Sequence, residues 1–254
     1  MKKSSYLIGP VLLIMVLLAG CRKLLDRLFP SHPGNTSSCV IESIGVAATN
    51  MMGYDFTQWA TIQYNGAGDP VSIDLDPESS TVPSHYFYYD AAGRLSAYRI
   101  VSQDPVPLVD HRYGYDTYGR IVADTTVQTY AEPAVMVSFL SYDNEGRIYE
   151  EVRYELDTLT GSMTDMEPVY YVYDTRGNLV VGPQQEINNY YDQSANILRT
   201  NKIWMFLSRN YSRNNLEGKI EYDDEGRAVA FVDDYINQRF LPYMYIKELT
   251  YRCD

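Results

Sequence analysis

Short segments rich in Tyr, Val, Ile and Phe alternate with turn residues from residue 60 onward. Residues 85–89 read His-Tyr-Phe-Tyr-Tyr, and residues 147–154 read Arg-Ile-Tyr-Glu-Glu-Val-Arg-Tyr. Aromatic and β-branched residues favour strands. Because short turns alternate with longer, Pro-containing connections such as 102–110 and 157–168, the pattern predicts an all-β fold. We expect an antiparallel meander of roughly a dozen strands that forms one large twisted or rolled sheet.

The short turns repeat one phrase, Tyr-Asp-x-x-Gly followed by Arg or Asn and then a small or aliphatic residue. Five full copies begin at Tyr89, Tyr115, Tyr142, Tyr173 and Tyr222, and two frayed copies begin at Tyr64 and Tyr191. Their spacing of 18 to 31 residues indicates one supersecondary unit copied along the chain.

Each copy has the chemistry of a hairpin tip. An Asp carboxylate accepts hydrogen bonds from backbone N–H groups two residues on, and Gly supplies the positive φ that closes the loop. The tips are therefore predicted at Gly93, Gly119, Gly146, Gly177 and Gly226. The Asp and Arg residues of the phrase are interpreted as turn and cross-strand partners, with ligand contact as the alternative.

One segment breaks the repeat. Between residues 196 and 215, Ile203, Phe206, Leu207 and Tyr211 fall at helical spacing, which predicts a short amphipathic helix laid on one face of the sheet. Its aromatic stripe is typical of a core. The rim between this helix and the sheet is the expected place for any ligand cleft.

The Tyr-Asp phrases, which cover most of residues 60–230, resemble the YD repeats of the Rhs and teneurin-like families. That resemblance implies a β-sheet that winds into a spiral or shell, and toxin-bearing members of those families carry a C-terminal effector domain. Here we expect an array too short for a large closed shell, and no effector. The chain is also similar to short YD-repeat lipoproteins of Bacteroidetes-type bacteria, a group without an established function.

The first residues indicate export. Lys2 and Lys3 precede an apolar run over residues 7–18, and Leu-Ala-Gly-Cys ends at Cys21, which predicts a signal peptide over residues 1–20. The sequence at Cys21 resembles the lipobox of bacterial lipoproteins. It implies that this Cys is acylated, for example with palmitate, and becomes the mature N-terminus. An uncleaved anchor helix is the alternative, although the run is shorter than the roughly 20 residues of a membrane span.

The predicted organisation therefore has three parts. After the signal peptide, residues 21–38 form the lipidated Cys21 and a flexible tether, and residues 39–254 form the YD-repeat domain. Arg22 follows Cys21, where inner-membrane lipoproteins carry Asp, so the resemblance favours the outer membrane of the cell envelope.

Charge and aromatic content narrow the partners. The chain has 21 basic and 33 acidic residues and a net charge of −12. Loss of residues 1–20 removes two Lys and no acid, which leaves −14. This disfavours nucleic acid as a partner. Most of the 25 Tyr suit core packing, but a stacking platform for a glycan or peptide is the alternative, with Trp59, Trp204 and Tyr211 as candidate ligand contacts.

Three Cys are present. If Cys21 carries lipid, Cys39 and Cys253 remain, before the first predicted strand and at the end of the last. In an oxidising compartment they are predicted to form a disulfide that joins the two ends of the array. Two buried free thiols are the alternative.

Signals for catalysis or metal binding are sparse. His32 lies in the tether, His85 and His111 have no motif partner, and no GxSxG or HExxH sequence occurs. Asp74, Asp76 and Glu78 alternate, but the order of an EF-hand is missing. We expect no enzyme, no cofactor and no metal site.

These observations predict a lipid-anchored envelope protein with a structural or interaction role. The alternatives are a surface lipoprotein that binds a carbohydrate or peptide, and an envelope hydrolase. The membrane is contacted through the lipid on Cys21, with a glycan or an envelope protein as the other possible partner.

Overall fold

The computed structural model describes residues 39–49, 55–75, 82–102, 107–130, 133–183, 185–186, 190–232 and 239–253. Cys21 and the predicted tether lie outside the described residues. Apart from one 3-10 turn and one helix, the regular elements are strands: β1 (Val40–Thr49), β2 (Asp55–Tyr64), β3 (Pro70–Leu75), β4 (Ser84–Tyr89), β5 (Leu95–Val101), β6 (Pro107–Tyr115), β7 (Ile121–Gln128), β8 (Ala134–Tyr142), β9 (Ile148–Leu156), β10 (Met163–Asp165), β11 (Val169–Tyr170), β12 (Val172–Tyr173), β13 (Leu179–Gly182), β14 (Gln185–Glu186), β15 (Tyr191–Ala195), β16 (Asn214–Leu216), β17 (Ile220–Tyr222), β18 (Ala228–Phe231), β19 (Arg239–Leu241) and β20 (Met244–Arg252).

Fifteen of these strands form one antiparallel sheet. Its path runs from β10 through β9 in sequence order down to β1, and then continues through β20 and β18 to β17. β11 adds to β9, and β19 adds to β20. The predicted meander is confirmed, but the last long strand returns to pair with the first.

The chain between β11 and β17 forms the insertion in the repeat. It contains two small antiparallel sheets, β12-β13-β14 and β15-β16, a 3-10 turn over Ile197–Thr200 and helix α1, Lys202–Ser208. Asn201 caps α1 by accepting a hydrogen bond from Ile203 N–H, and Arg209 ends it in the left-handed conformation, with φ of 53°. The predicted short helix is confirmed.

Helix α1 lies on one face of the large sheet, here called the helix face. Trp204 packs edge-on against Phe87 of β4, and Phe206 packs edge-on against Tyr113 of β6. Most side chains of β1 to β5 that point to the helix face are apolar or aromatic and buried, as at Ile44 and Tyr98, and the polar Gln58 and His85 are buried among them. The opposite side of the sheet is called the outer face.

Cys39 and Cys253 form a disulfide, as predicted from the sequence. Both residues flank the long strand pair β1 and β20, in which Ser43 faces Thr250. In the part of the chain that is described, no helix has the length and apolar character needed to cross a membrane.

Candidate functional site

The repeat tips are the first polar feature to consider, because five copies display the same side chains. In the copy at Tyr142, Asp143 Oδ1 accepts hydrogen bonds from Glu145 N–H and Arg147 N–H, both at 2.9 Å. Asp143 Oδ2 accepts from Arg147 Nε at 2.8 Å. Gly146 has φ of 75° and donates its N–H to the Asp143 carbonyl. The carboxylate is therefore occupied by its own turn.

The same turn geometry recurs through the array. Positive φ is found at all five predicted tip glycines, Gly93, Gly119, Gly146, Gly177 and Gly226. The backbone donors and the Arg94 side chain lower the pKa of Asp90, and the equivalent bonds lower that of Asp116. The frayed copy at Tyr191 makes no such tip, because Ala195 stands at the Gly position and continues β15.

Most motif tyrosines donate to a backbone carbonyl of the segment before them. The exceptions are Tyr222, which donates to Asp192 Oδ2, and Tyr173, whose buried hydroxyl makes no such bond. Tyr115 OH donates to the Leu95 carbonyl at 2.7 Å, and Tyr142 OH donates to the Ile121 carbonyl at 2.6 Å. Each acceptor is the residue that follows the Gly-Arg pair of the earlier turn. Equivalent bonds join Tyr64 to Ile41, Tyr89 to Pro70, Tyr191 to Leu179 and Tyr251 to Ala228.

The Arg of each full turn completes the connection between repeats. Arg94 lies 4.4 Å from the ring centroid of Tyr115, and Arg147 lies 4.3 Å from that of Tyr173. Arg120 and Arg227 make the same contact with Tyr142 and Tyr251. At Tyr115, Tyr142 and Tyr251 neighbouring units are therefore joined through two contacts, a hydroxyl bond and a cation–π contact, and at Tyr173 through the cation–π contact.

The fourth full copy, which begins at Tyr173, differs because it contacts the insertion. Asn178 replaces Arg, is fully buried, and donates from Nδ2 to Asn214 Oδ1 at 3.2 Å while its own Oδ1 accepts from Asn214 N–H. Leu179 N–H donates to Ser212 Oγ. A Cβ on Gly177 would lie 3.0 Å from Arg213 Nε, so this tip is closely packed against the insertion.

The second polar feature is a mostly buried cluster around Arg209, on the helix face. Arg209 Nη2 donates to Asp124 Oδ2 at 2.9 Å, and Arg209 Nε lies 3.5 Å from Glu151 Oε2. His111 Nδ1 lies 3.0 Å from Asp124 Oδ1. Tyr171 OH donates to Glu151 Oε2. The cluster joins the end of α1 to β7 and β9, and His111 extends it to β6.

Its electrostatics are those of a paired network. Burial alone would raise the pKa of Asp124, but the hydrogen bond from His111 and the charge of Arg209 hold that pKa below its usual value. Burial likewise opposes the charged form of Arg209, yet Glu151 and Asp124 raise its pKa. The Arg209 guanidinium therefore serves both carboxylates, and Asp124 has His111 as a second partner.

The third polar feature is His85, which is kept neutral by burial. It is fully buried, and burial lowers its pKa to about 3. Its Nδ1 lies 2.5 Å from the Tyr98 hydroxyl. In the described part of the chain, no group of three or more His, Cys, Asp or Glu residues could hold a metal ion.

The candidate ligand contacts from the sequence do not form one surface. Trp204 is 0% exposed and packs between Phe87 and Phe240, so its ring cannot stack on a ligand. Tyr211 packs against the core. Trp59 is 46% exposed and lies on the outer face of β2. Of the three, Trp59 alone presents a substantially exposed ring.

Sequence reasoning missed the partners of His111 and Arg209. They come from strands that are distant in the chain, since Arg209 and Asp124 are 85 residues apart. One local signal was present, because the charged Asp124 stands within a run of residues that favours a strand, Ile121–Gln128.

Comparison with known proteins gives limited information. No protein-family profile matches the sequence, and no match is found among well-characterised proteins. Among solved structures, the crystal structure of TcdB2-TccC3-Cdc42 aligns with 77% of this chain and 11% of that chain, at 15% identity and a TM-score of 0.33. A likeness this distant decides neither family nor function.

Proposed function

We propose that this is a lipid-anchored protein of the cell envelope, held through Cys21, whose YD-like repeats form a scaffold with a structural or interaction role. The observation that carries the proposal is the internal use of the repeat motif. In the full copies that contain Arg, the motif side chains contact their own turn or a neighbouring repeat. These side chains are those of Asp, Arg and Tyr, and the motif Gly closes the turn through its backbone. Groups committed in this way hold the array together rather than bind a ligand.

The Arg209 cluster supports the same proposal. Two carboxylates, Asp124 and Glu151, converge there, which raises the alternative of a hydrolase. A glycosidase pair needs one carboxyl group whose raised pKa keeps it protonated. The pKa of Asp124 is lowered instead, and both carboxylates contact the same guanidinium. This favours a structural connection between α1 and the sheet over acid catalysis.

Anchoring is tested by the change Cys21→Ser. Acylation requires the thiol, so we expect wild type to partition into detergent and the variant to accumulate as unprocessed precursor or as a soluble form. Metabolic labelling with a palmitate analogue provides an independent readout. Normal processing and detergent partitioning of the variant would rule out the lipid anchor.

The carbohydrate-binding alternative is favoured by the exposed rings of Trp59 and Tyr88 on the outer face. It is tested with Asp143→Ala and Trp59→Ala on a glycan array. The scaffold proposal expects Asp143→Ala to lower stability by roughly 1 kcal/mol through lost turn bonds, with no separate effect on binding. If Asp143→Ala kept its melting temperature but lost binding to a glycan, the tips would be recognition elements.

A further inference from the structure

Strands β7, β8 and β9 bury Ile121, Leu140 and Ile148 in the core, but they place most of their other apolar residues on the unexpected side of the sheet. Register fixes the faces: Asp124 lies on the helix face, where it bonds to Arg209, and it pairs with Ser138, which pairs with Arg153. Alternation then sends the neighbouring residues to the outer face. These outer residues are Ala123, Thr125, Val127, Val135, Val137, Phe139, Val152, Tyr154 and Leu156.

The opposite arrangement holds elsewhere in the same sheet. On β2 and β3 the helix face carries Ile62 and Ile73, which are buried, and the outer face carries Thr61 and Asp74. A strand whose one face is buried normally turns its apolar residues to that face. The apolar outer surface of β7 to β9 therefore has the pattern of a buried face without a covering layer.

This surface, here called the β7–β9 face, is accessible. Phe139 is 47% exposed and packs edge-on against Tyr154. At the sheet edge, Met163 of β10 pairs with Leu156 and is 53% exposed. Three strands with three residues each on this side give a footprint of roughly 300 Å². The largest exposed apolar patch of a monomer is typically about 300 to 600 Å², and such patches are often functional.

Charges are placed at the two ends of one cross-strand row. Arg112 pairs with Thr125, which pairs with Val137, then Tyr154, then Asp165. Val137, on β8, is the central member of the row. The Arg112 side chain is 67% exposed, and Asp165 is exposed. Arg112 Nη2 lies 3.5 Å from Asp110 Oδ2 of its own copy, and the row continues beyond Arg112 to Ala97 of β5. The stretch between the positive Arg112 and the negative Asp165 is uncharged.

We propose that the β7–β9 face docks on the same face of a second copy, about a twofold axis parallel to β8. Such an axis exchanges the two ends of the row. It places Arg112 of each copy opposite Asp165 of the other, with Val137 on the axis and Phe139 and Tyr154 in the apolar centre. Twofold interfaces of this kind use one self-complementary patch.

The dimensions agree with this arrangement. Packed sheets lie about 10 Å apart, a gap that an extended Arg and an Asp span when they point at each other. Aligned sheets cross at about 30°, which displaces groups two strands from the axis by roughly 5 Å, within the reach of Arg112. If the two copies packed without this twofold axis, Asp165 would lie opposite residues of the row other than Arg112, and none of those residues is positively charged.

The dimer is expected to be weak in solution. Its apolar footprint is below the roughly 800 Å² per partner of a standard interface, and each chain carries a net charge of −12. This dimer gives a specific form to the proposed interaction role, and its occurrence on a membrane rests on the proposed lipid anchor. Anchoring of both copies in one membrane raises their effective concentration, so a weak contact suffices.

The test is sedimentation equilibrium of the full-length protein in density-matched detergent. We expect a concentration-dependent mass between that of one 29.1 kDa chain and that of two. Arg112→Asp and Asp165→Arg should each weaken association about tenfold or more, because each replaces two attractions with two repulsions. An equimolar mixture of the two variants should associate to within about threefold of wild type, because the charges then match in the heterodimer.

Arg176→Asp is the control. Arg176 is an exposed residue at a repeat tip outside the β7–β9 face, so this change should leave association unchanged. Circular dichroism checks that each variant is folded. A wild-type protein that stays monomeric at about 1 mM, single variants that associate like wild type, or folded variants that fail to recover on mixing would each overturn the proposal. Because association is measured in detergent, any of these results leaves the anchoring of Cys21 standing.

Discussion

At the scale of single residues, the motif tyrosines carry the contacts between repeats. The Tyr142 hydroxyl bonds to the Ile121 carbonyl, and its ring lies under Arg120. Burial raises the pKa of this hydroxyl to about 12. The hydroxyl therefore stays protonated at neutral pH and donates to this carbonyl, a contact that Phe at this position could not make.

We expect Tyr142→Phe to reduce the free energy of unfolding by about 1 kcal/mol, because the Ile121 carbonyl loses its donor while the ring is kept. The matched control is Tyr118→Phe, since the Tyr118 ring is exposed and also lies near Arg120. Urea denaturation of both variants measures the difference. Equal stabilities for the two variants would show that the hydroxyl bond contributes nothing.

At the scale of elements, α1 is attached to the sheet by two kinds of contact. Trp204 and Phe206 bury its apolar side, and Arg209 connects its end to β7 and β9. The helix has only seven residues, too few to be stable alone. Its position and its helical state therefore both depend on these tertiary contacts.

Arg209→Ala should destabilise the protein by about 3 to 5 kcal/mol, because it leaves Asp124 and Glu151 buried without their cation. Arg176→Ala, at an exposed ion pair, should cost less than about 0.5 kcal/mol. Thermal unfolding followed by circular dichroism compares them. A loss at Arg209 no larger than that at Arg176 would mean that water compensates the carboxylates.

The sequence predicts those elements that are determined by residues close together in the chain. Each Asp-x-x-Gly turn is closed by hydrogen bonds within five residues, so the sequence alone predicts its tip. The same rule explains why no tip forms where Ala195 replaces Gly. The surroundings of Arg209 and His111 could not be predicted, because their partners are brought by strand register. Trp204 was misplaced as a ligand contact for a related reason: a helical stripe does not reveal what covers it.

At the scale of the whole molecule, the first and last long strands are neighbours, and a disulfide joins the residues that flank them. Ile44 and Val46 of β1 are fully buried where they pair with β20. Arg227 Nη1 also lies 3.2 Å from Cys39 Sγ. Of the two ends of the sheet path, β10 lies nine strands from β1, whereas β17 lies only two strands from β20.

Reduction of the disulfide should lower the melting temperature. In the chain-entropy model, a bridge between Cys39 and Cys253 stabilises by up to about 5 kcal/mol, because it constrains an unfolded loop of this length. The double variant Cys39→Ser, Cys253→Ser should melt at the temperature of the reduced wild type. Full alkylation of both Cys in native, unreduced protein would exclude the bridge.

The pairing of β1 with β20 also sets an order of assembly during synthesis. Ser43 and Thr250 are 207 residues apart, so one edge of β1 must wait, unpaired, until nearly all of the following chain has emerged. The hairpins from β2 to β9 can form in sequence meanwhile, since each closes locally. An unpaired strand edge invites wrong partners. In a nascent chain, β1 is therefore the strand that most needs protection by a chaperone. The need ends when β20 pairs with the free edge of β1.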